Sequence, residues 1–298
     1  MSVFDRLVTT GLPLVPKPVV GKVAARYVAG ETLDDALRTV RQLNAEGASC
    51  TLDLLGEEVR ERRQAELAVA EYLRALDRIA EADLECGISV KPTQLGLTID
   101  ETFSRDNYEA LADAAQRTGR FLRLDMEDHT TTDATLRLYR HLLAAFGNVG
   151  PVLQAYMRRT LSDIAALPDG ANVRLCKGIY LEPRHVAWQT FDTVRLNFLA
   201  ALEQLFSRGC FVGIATHDDY LVCGAIALVE QLGLRRDDYE FQMLLGVEVA
   251  LRRVLLEEGH ALRVYVPYGR DWYQYSVRRL RENPKIAGHV TRAMLRGE

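Results

Sequence analysis

The sequence lacks any apolar run long enough to cross a bilayer. Its longest such run, LVCGAIALV at residues 221–229, is about half of the roughly 20 residues that a membrane-spanning helix requires. The first residues also lack the basic-then-apolar pattern of a signal peptide. We therefore expect a cytoplasmic protein, and the sequence leaves open a peripheral contact with the inner face of the membrane.

Cysteine pairs and metal-binding spacings are missing as well. The five cysteines are odd in number and show no CxxC or CxH spacing: Cys50, Cys86, Cys176, Cys210 and Cys223. This pattern predicts reduced, mostly buried thiols and no metal site.

Two common catalytic or nucleotide-binding signatures are absent. The turn DLLGEE at residues 53–58 supplies no G-x-G-x-x-G, and no G-x-S-x-G nucleophile turn occurs. A net charge of −4 and a pI near 5.9 argue against a nucleic-acid partner.

What the chain does contain is a regular alternation of strand-like and helix-like segments. Apolar runs of strand length occur at 49–55, 86–91, 121–126, 149–156, 173–177, 211–216, 239–245 and 262–266. Helix-forming stretches occur at 57–82, 105–118, 132–146, 160–167, 190–207, 220–232, 247–258 and 271–283. Eight such units predict an α/β fold of the closed (β/α)8, or TIM-barrel, type. A doubly wound sheet is the alternative, but it requires the missing glycine-rich turn.

The domain organisation follows from this alternation. Residues 1–47, with a proline-rich stretch and a helix at 32–45 closed by Gly47, are predicted to form an N-terminal helical arm. Residues 48–298 are predicted to form one barrel domain, because no long linker or change of composition interrupts them.

Polar or aromatic side chains lie near the ends of nearly all the predicted strands. In a (β/α)8 barrel these ends form the active-site face. The residues concerned are Glu57, Lys91, Asp125, Gln154, Arg174, Lys177, Thr216, His217, Gln242 and Tyr265, and the seventh strand also ends with the apolar Leu244. A strand-end aspartate is often only a helix cap, and a single histidine is more often structural than catalytic.

The last predicted helix carries a further charged face. Tyr275, Arg278, Arg279 and Glu282 follow the i, i+3, i+4, i+7 spacing and share one side of the helix. Together with Lys91, Arg174 and Lys177 at the strand ends, the two arginines predict a site for a small anion. The loops after the seventh and eighth strands, LLGVE and VPYGRD, have one glycine each and so give little support for a phosphate site.

Several stretches resemble the proline dehydrogenase family. They are SVKPTQLG (89–96), LRLDMED (122–128), VLQAY (152–156), VRLCKGIY (173–180), ATHD (215–218), YEFQMLLG (239–246) and VRRLREN (277–283). The resemblance extends from about residue 54 to residue 283, with motifs on most strand ends and on the last helix.

The resemblance implies a flavin enzyme that oxidises L-proline to 1-pyrroline-5-carboxylate by hydride transfer from proline C5 to FAD N5. It implies that Lys91, Arg278 and Arg279 hold the proline carboxylate, and that Leu244 and Tyr265 pack on the ring, with Tyr180 nearby. Asp125 would orient these cations, Arg174 would lie near flavin N5, and Glu57 would pair with Arg278 as a gate. The remaining FAD contacts would come from Met126, Gln154, Lys177, Gly178, Ile179, Thr216 and His217.

This sequence departs from the family pattern at one residue, and it also differs from the bifunctional relatives in the partner enzyme that it would need. Ile179 occupies a position where many relatives have alanine. The aldehyde dehydrogenase and DNA-binding parts of bifunctional relatives are not expected here, so a separate 1-pyrroline-5-carboxylate dehydrogenase would consume the product. The resemblance also implies a quinone as electron acceptor.

Three other functions compete with this interpretation. A Schiff-base aldolase would use Lys91 or Lys177 and bind no flavin. A barrel resembling methylenetetrahydrofolate reductase would bind flavin with a pyridine nucleotide and a pterin. A non-enzymatic amino-acid sensor would bind proline without reducing a flavin.

Overall fold

The computed structural model describes residues 26–273, and its eight parallel strands close into a single barrel. The strands are β1 Ser49–Leu54, β2 Cys86–Val90, β3 Leu122–Leu124, β4 Val149–Gln154, β5 Asn172–Cys176, β6 Phe211–Ala215, β7 Tyr239–Leu244 and β8 Leu262–Tyr268. The helices are α1 Leu33–Ala45, α2 Arg62–Glu81, α3 Glu101–Arg117, α4 Thr132–Ala145, α5 Thr160–Ala165, α6 Phe191–Ser207, α7 Asp219–Leu232 and α8 Val249–Glu257. The predicted (β/α)8 barrel is thus confirmed, and the doubly wound sheet is excluded.

The strands alternate between an apolar outer face and a polar inner face. On β1, Cys50 and Leu52 belong to the apolar core beneath the helices, whereas Thr51 and Asp53 line cavities on the barrel axis. β7 does the same with apolar Phe241 and polar Gln242. Barrel interiors are usually filled by branched aliphatic side chains. A polar interior requires instead that its buried groups be paired with one another.

Helix α1 is part of the same packed core as the barrel. Thr32 and Asp35 form a capping box that satisfies backbone groups at the helix start. Leu33, Leu37 and Val40 on its inner face are buried in the main hydrophobic cluster. The division of the chain at residue 47 stays a prediction.

The rim of the barrel differs from the prediction after β1. Helix α2 was expected from residue 57 but begins at Arg62, because Glu61 and Gln64 form its capping box. Glu58 has a positive φ of 52°, so residues 56–60 form a loop at the carboxyl end of β1. A short 3-10 helix, Pro92–Leu95, also follows β2 directly after Lys91.

The predicted helix at 271–283 extends beyond the described residues. Tyr275, Arg278, Arg279 and Glu282 lie outside them. Over the range 26–273, no helix is both long enough and apolar enough to traverse a bilayer.

Candidate active site

A cavity of about 870 Å³ lies at the carboxyl ends of the strands. This is near the upper end of the volumes usual for ligand pockets, about 300–1,000 Å³. Most of the predicted site residues line it: Lys91, Asp125, Met126, Gln154, Arg174, Lys177, Gly178, Ile179, Tyr180, Thr216, His217, Leu244 and Tyr265. Glu57 is exposed on the loop after β1 and is not among the lining residues. Arg278 and Arg279 lie outside the described range.

The inner end of the cavity contains a buried ion pair. Lys91 Nζ donates to Asp53 Oδ1 at 2.7 Å, and both side chains are less than a tenth exposed. Burial alone lowers the pKa of Lys91, but Asp53 and Asp125 outweigh it and raise that pKa above its ordinary value. Lys91 is therefore a fixed positive charge at this end of the cavity.

Asp125 accepts hydrogen bonds from three side chains. Ser89 Oγ donates to its Oδ1 at 2.6 Å, Arg174 Nη1 donates to the same oxygen at 2.8 Å, and the Tyr265 hydroxyl donates to Oδ2 at 2.9 Å. Burial tends to raise the pKa of Asp125, yet Arg174 and Lys91 outweigh it and keep the pKa below its ordinary value. Asp125 is therefore an ionised hub that joins β2, β3, β5 and β8.

The guanidinium of Arg174 is held at two atoms. Its Nη1 donates to Asp125 and Ser89, and its Nε donates to Gln242 Oε1 at 2.5 Å. Its Cζ also lies 5.2 Å from the centre of the Tyr265 ring, a cation–π distance. Arg174 is only 6% exposed, so these contacts hold a buried cation on the floor of the cavity.

The outer end of the cavity combines cations with aromatic rings. Asp218 accepts from Arg195 through both carboxylate oxygens, at 2.7 and 2.9 Å, and from Lys177 Nζ at 3.2 Å. The Arg195 guanidinium lies over Phe191 at 4.1 Å and over Tyr220 at 4.8 Å. Such a surface suits a ligand with both phosphate groups and a flat base.

Two local contacts restrict the lining residues Gly178 and His217. Gly178 has a φ of +104°, and a Cβ added there would come within 2.2 Å of the Tyr156 ring, so a side chain at this position is excluded. His217 Nε2 accepts the backbone N–H of Leu244 at 2.8 Å, which leaves the proton of the neutral ring on Nδ1. Both residues line the cavity.

A further buried carboxyl group, that of Glu127, lies beneath the rim. Glu127 accepts from the backbone N–H of Thr93 at 2.8 Å and from the Thr93 hydroxyl at 2.6 Å, and its own carbonyl accepts from Gln154 Nε2. Burial raises the pKa of Glu127 to about 7, and the hydrogen bonds from Thr93 offset this only in part. The Thr93 hydroxyl also accepts the backbone N–H of Glu58, which connects this group to the loop after β1.

Sequence reasoning missed several lining residues, among them Asp53, Phe191, Arg195, Asp218 and Tyr220. Asp53 could have been found, because a charged residue in an otherwise apolar strand indicates an inward-facing position. The others lie at the starts of α6 and α7, so their approach to the cavity depends on how these helices are placed at the rim. Across the part of the chain that the structure describes, no group of three His, Cys, Asp or Glu residues could hold a metal ion.

The cavity's features fit FAD. Its volume and the cationic, aromatic outer end suit a long ligand with a ring system, phosphates and a base. A closed parallel barrel with such a charged cavity at the carboxyl ends of its strands defines an enzyme of the (β/α)8-barrel class.

The comparisons with known proteins identify the family. The family model described as proline dehydrogenase matches residues 36–292. Proline dehydrogenase of Deinococcus radiodurans is 37% identical over 281 residues, covering 92% of this chain and 91% of the relative. Proline dehydrogenase 1 of Bacillus subtilis is 35% identical over 274 residues, with the same shares of each chain. This chain belongs to the proline dehydrogenase family and is an oxidoreductase of proline catabolism.

A solved structure supports the fold. The crystal structure of proline utilization A from Bdellovibrio bacteriovorus, inactivated by N-propargylglycine, matches with a TM-score of 0.81 at 22% identity. The match covers 87% of this chain but only 32% of that longer protein.

Proposed function

We propose that this proline dehydrogenase oxidises L-proline to 1-pyrroline-5-carboxylate with FAD as the hydride acceptor. The observation that carries the proposal is that the two ends of the cavity are lined by different kinds of groups. Paired charges around Asp125 and Lys91 lie at its inner end, and Lys177, Arg195 and two aromatic rings lie at its outer end. The inner end suits a small amino acid, and the remainder suits a dinucleotide.

Substrate binding is assigned to the inner end. Lys91 offers a charge-assisted hydrogen bond to the proline carboxylate, and Tyr265 and Leu244 offer apolar surface to the ring, with Tyr180 at the edge. Arg278 and Arg279, predicted on the last helix, are proposed to complete the carboxylate site. Glu57, on the exposed loop at the rim, is proposed to pair with Arg278 over bound substrate.

Cofactor binding is assigned to the remaining lining. Arg174 and Gln154 are proposed to hold the flavin ring system, and Lys177 to hold the phosphates. The other proposed contacts are Met126, Gly178, Ile179, Thr216 and His217. FAD, when bound, supplies N5 as the acceptor of the hydride from proline C5.

The protein's part in the reaction is positioning and electrostatic stabilisation. Lys91 fixes one end of the substrate, so that its C5 is presented in a constant orientation. Asp125 keeps Arg174 and Tyr265 in place through two of its hydrogen bonds. Arg174 provides a preorganised positive charge where negative charge develops during oxidation.

The ion pair at Lys91 argues against an aldolase that uses this lysine. A Schiff-base lysine must lose its proton to act as a nucleophile. The raised pKa of Lys91 and its contact with Asp53 keep this amine protonated. The low-pKa environment that such catalysis needs is therefore not present at Lys91.

Electrons are proposed to pass from the reduced cofactor to a quinone, and the product to a separate 1-pyrroline-5-carboxylate dehydrogenase. A cytoplasmic location with peripheral contact at the inner face of the membrane would bring the reduced cofactor close to a membrane quinone. The proposal includes no nucleic-acid partner.

The test is the visible spectrum of the purified protein, followed by anaerobic addition of L-proline. A yellow protein that bleaches with proline supports both cofactor and half-reaction. A yellow protein that does not bleach refutes the proposed substrate. A protein that stays colourless after incubation with FAD refutes the proposed cofactor and favours the aldolase or the sensor hypothesis.

A further inference from the structure

A second, smaller cavity lies beneath the first on the barrel axis. It has a volume of about 100 Å³ and is lined mainly by inward-facing side chains of the strands. Arg174 and Gln242 line both cavities, so these two side chains form the partition between them. The position of Arg174 on the floor of the upper cavity therefore depends on groups that lie below it.

A chain of hydrogen bonds runs from the lower cavity to Arg174. Arg263 Nε donates to Glu240 Oε1 at 2.7 Å, and Gln242 Nε2 donates to the same oxygen at 2.6 Å. Gln242 Oε1 then accepts from Arg174 Nε at 2.5 Å. Arg263 also donates to the carbonyl of Cys50, which fixes the lower end of the chain on β1.

The chemistry of the two ends allows only one orientation of the Gln242 amide. A guanidinium can only donate, so the amide oxygen must face Arg174. An ionised carboxylate can only accept, so the amide nitrogen must face Glu240. The reversed amide would set two donors together at Arg174 and two acceptors together at Glu240. Glu240 therefore dictates which atom Gln242 presents to Arg174.

The surroundings leave this amide little freedom to move. Gln242 and Glu240 are each 5% exposed. On the adjacent strand, a Cβ added to Gly213 would lie 2.3 Å from Gln242 Nε2, so glycine at this position provides the space for the amide. Because Arg174 is also held by Asp125 at its other end, its guanidinium is fixed across the cavity floor.

We propose that Glu240 and Gln242 are positioning residues for the reaction, acting through Arg174. They fix the guanidinium from below, as Asp125 does from above, so that its charge stands ready where negative charge develops. This inference rests on the proposed function, since it assumes a flavin above Arg174. Neither Glu240 nor Gln242 needs to touch the substrate.

Two nearly isosteric variants test this, Gln242→Met and Glu240→Gln. The first removes both hydrogen bonds of the amide, and the second removes the charge that orients it. Thr51→Val is the control, because Thr51 lines the lower cavity and is absent from the hydrogen-bond chain. For each protein, kcat is expressed per bound flavin, and the KM for proline and the flavin midpoint potential are measured.

We expect kcat to fall about tenfold to a hundredfold in both test variants, as for other small misplacements of catalytic groups. The KM for proline should change less than about threefold, since Lys91 is untouched. The midpoint potential should become more negative, by about 30 mV for each tenfold loss in the reduced-to-oxidised ratio of a two-electron couple. Thr51→Val should match the wild type in all three measurements.

Unchanged kcat and potential in both test variants would overturn the proposal. Failure of both variants to fold, judged by circular dichroism, would also overturn it, because it would assign these residues to the barrel core instead. Failure of the proposed function itself is distinguishable, since the wild type and Thr51→Val would then also fail to bleach with proline.

Discussion

Lys91 Nζ lies 2.7 Å from Asp53 Oδ1, and this contact links the ends of β1 and β2 inside the active-site cavity. Asp53 is 1% exposed, and burial raises its pKa despite the opposing effect of Lys91. Asp53 holds the ammonium group of Lys91 in place at the inner end of the cavity. Removing one partner of a buried pair is costly, because the other is left uncompensated.

The two lysines of the cavity should act on different ligands. Lys91→Met should raise the KM for proline about tenfold to a hundredfold, the loss expected for a charge-assisted hydrogen bond of roughly 1.5–3 kcal/mol. Lys177→Met should instead weaken FAD binding and leave the KM for proline, measured with saturating FAD, nearly unchanged. Steady-state kinetics and FAD titration by flavin fluorescence would measure both effects. An equal effect of the two variants on the KM for proline would contradict the assignment of the inner end to proline and of the outer end to FAD.

Tyr265 should exclude a hydroxyl group on the substrate ring. Its ring lines the inner end, and its hydroxyl is committed to Asp125 at 2.9 Å. We expect kcat/KM for 4-hydroxyproline to be about fivefold to a hundredfold lower than for proline, since a buried hydroxyl without a partner costs about 1–3 kcal/mol. Tyr265→Phe should retain this preference because the ring remains. Equal kcat/KM values for the two substrates in the wild type would refute the prediction.

The protein should lose stability as the pH rises through the titration of Glu127. Burial raises the pKa of this carboxyl group from 4.5 to about 7, so between these values the folded state binds more protons than the unfolded state. The free energy of unfolding therefore falls as the pH rises across this window, by roughly 3 kcal/mol at most for this group.

Glu127→Gln should remove that part of the pH dependence. Urea unfolding at pH 5 and pH 8 would measure it, with Glu203→Gln on an exposed position of α6 as the control. The difference in unfolding free energy between the two pH values should change in Glu127→Gln and persist in the control. The same difference in both variants would show that Glu127 does not titrate in this range.

The proposed gate between Glu57 and Arg278 can be tested with a double-mutant cycle. We expect Glu57→Gln and Arg278→Met to be non-additive in kcat/KM for proline, with a coupling of about 0.5–3 kcal/mol. Glu58→Gln paired with Arg278→Met is the control, because Glu58 is the exposed neighbour on the same loop. Additive effects in the first pair would mean that Glu57 and Arg278 do not interact during turnover.

The fold could be predicted closely because its signal is repeated along the chain. Each strand has its own apolar pattern, and parallel strands in a barrel direct their carboxyl ends to one face. This rule was enough to bring Lys91, Asp125 and Tyr265 to one cavity, as the structure has them. Their assigned roles remain predictions.

The sequence does not reveal unusual backbone conformations or which side chains form hydrogen bonds with one another. The late start of α2 depends on a positive φ at Glu58, a conformation that glutamate rarely adopts and that periodicity does not reveal. The Arg263–Glu240–Gln242 chain requires the register between β7 and β8, since Gln242 lies opposite Arg263 only in that register. Asp53 precedes the end of β1, so the rule that strand-end residues form the site does not select it.

Closure of the barrel between β1 and β8 has a consequence for the order in which the site forms. At the start of this seam the Ser49 hydroxyl donates to the carbonyl of Leu262, 213 positions away in the chain, so this is among the most distant contacts of the fold. Lys177, Arg195 and Asp218 come from a short stretch around β5 and β6, so the outer end can assemble early during synthesis from the N-terminus. Asp53 and Tyr265 meet only when β8 has been made and the seam closes, so the inner end of the site forms last.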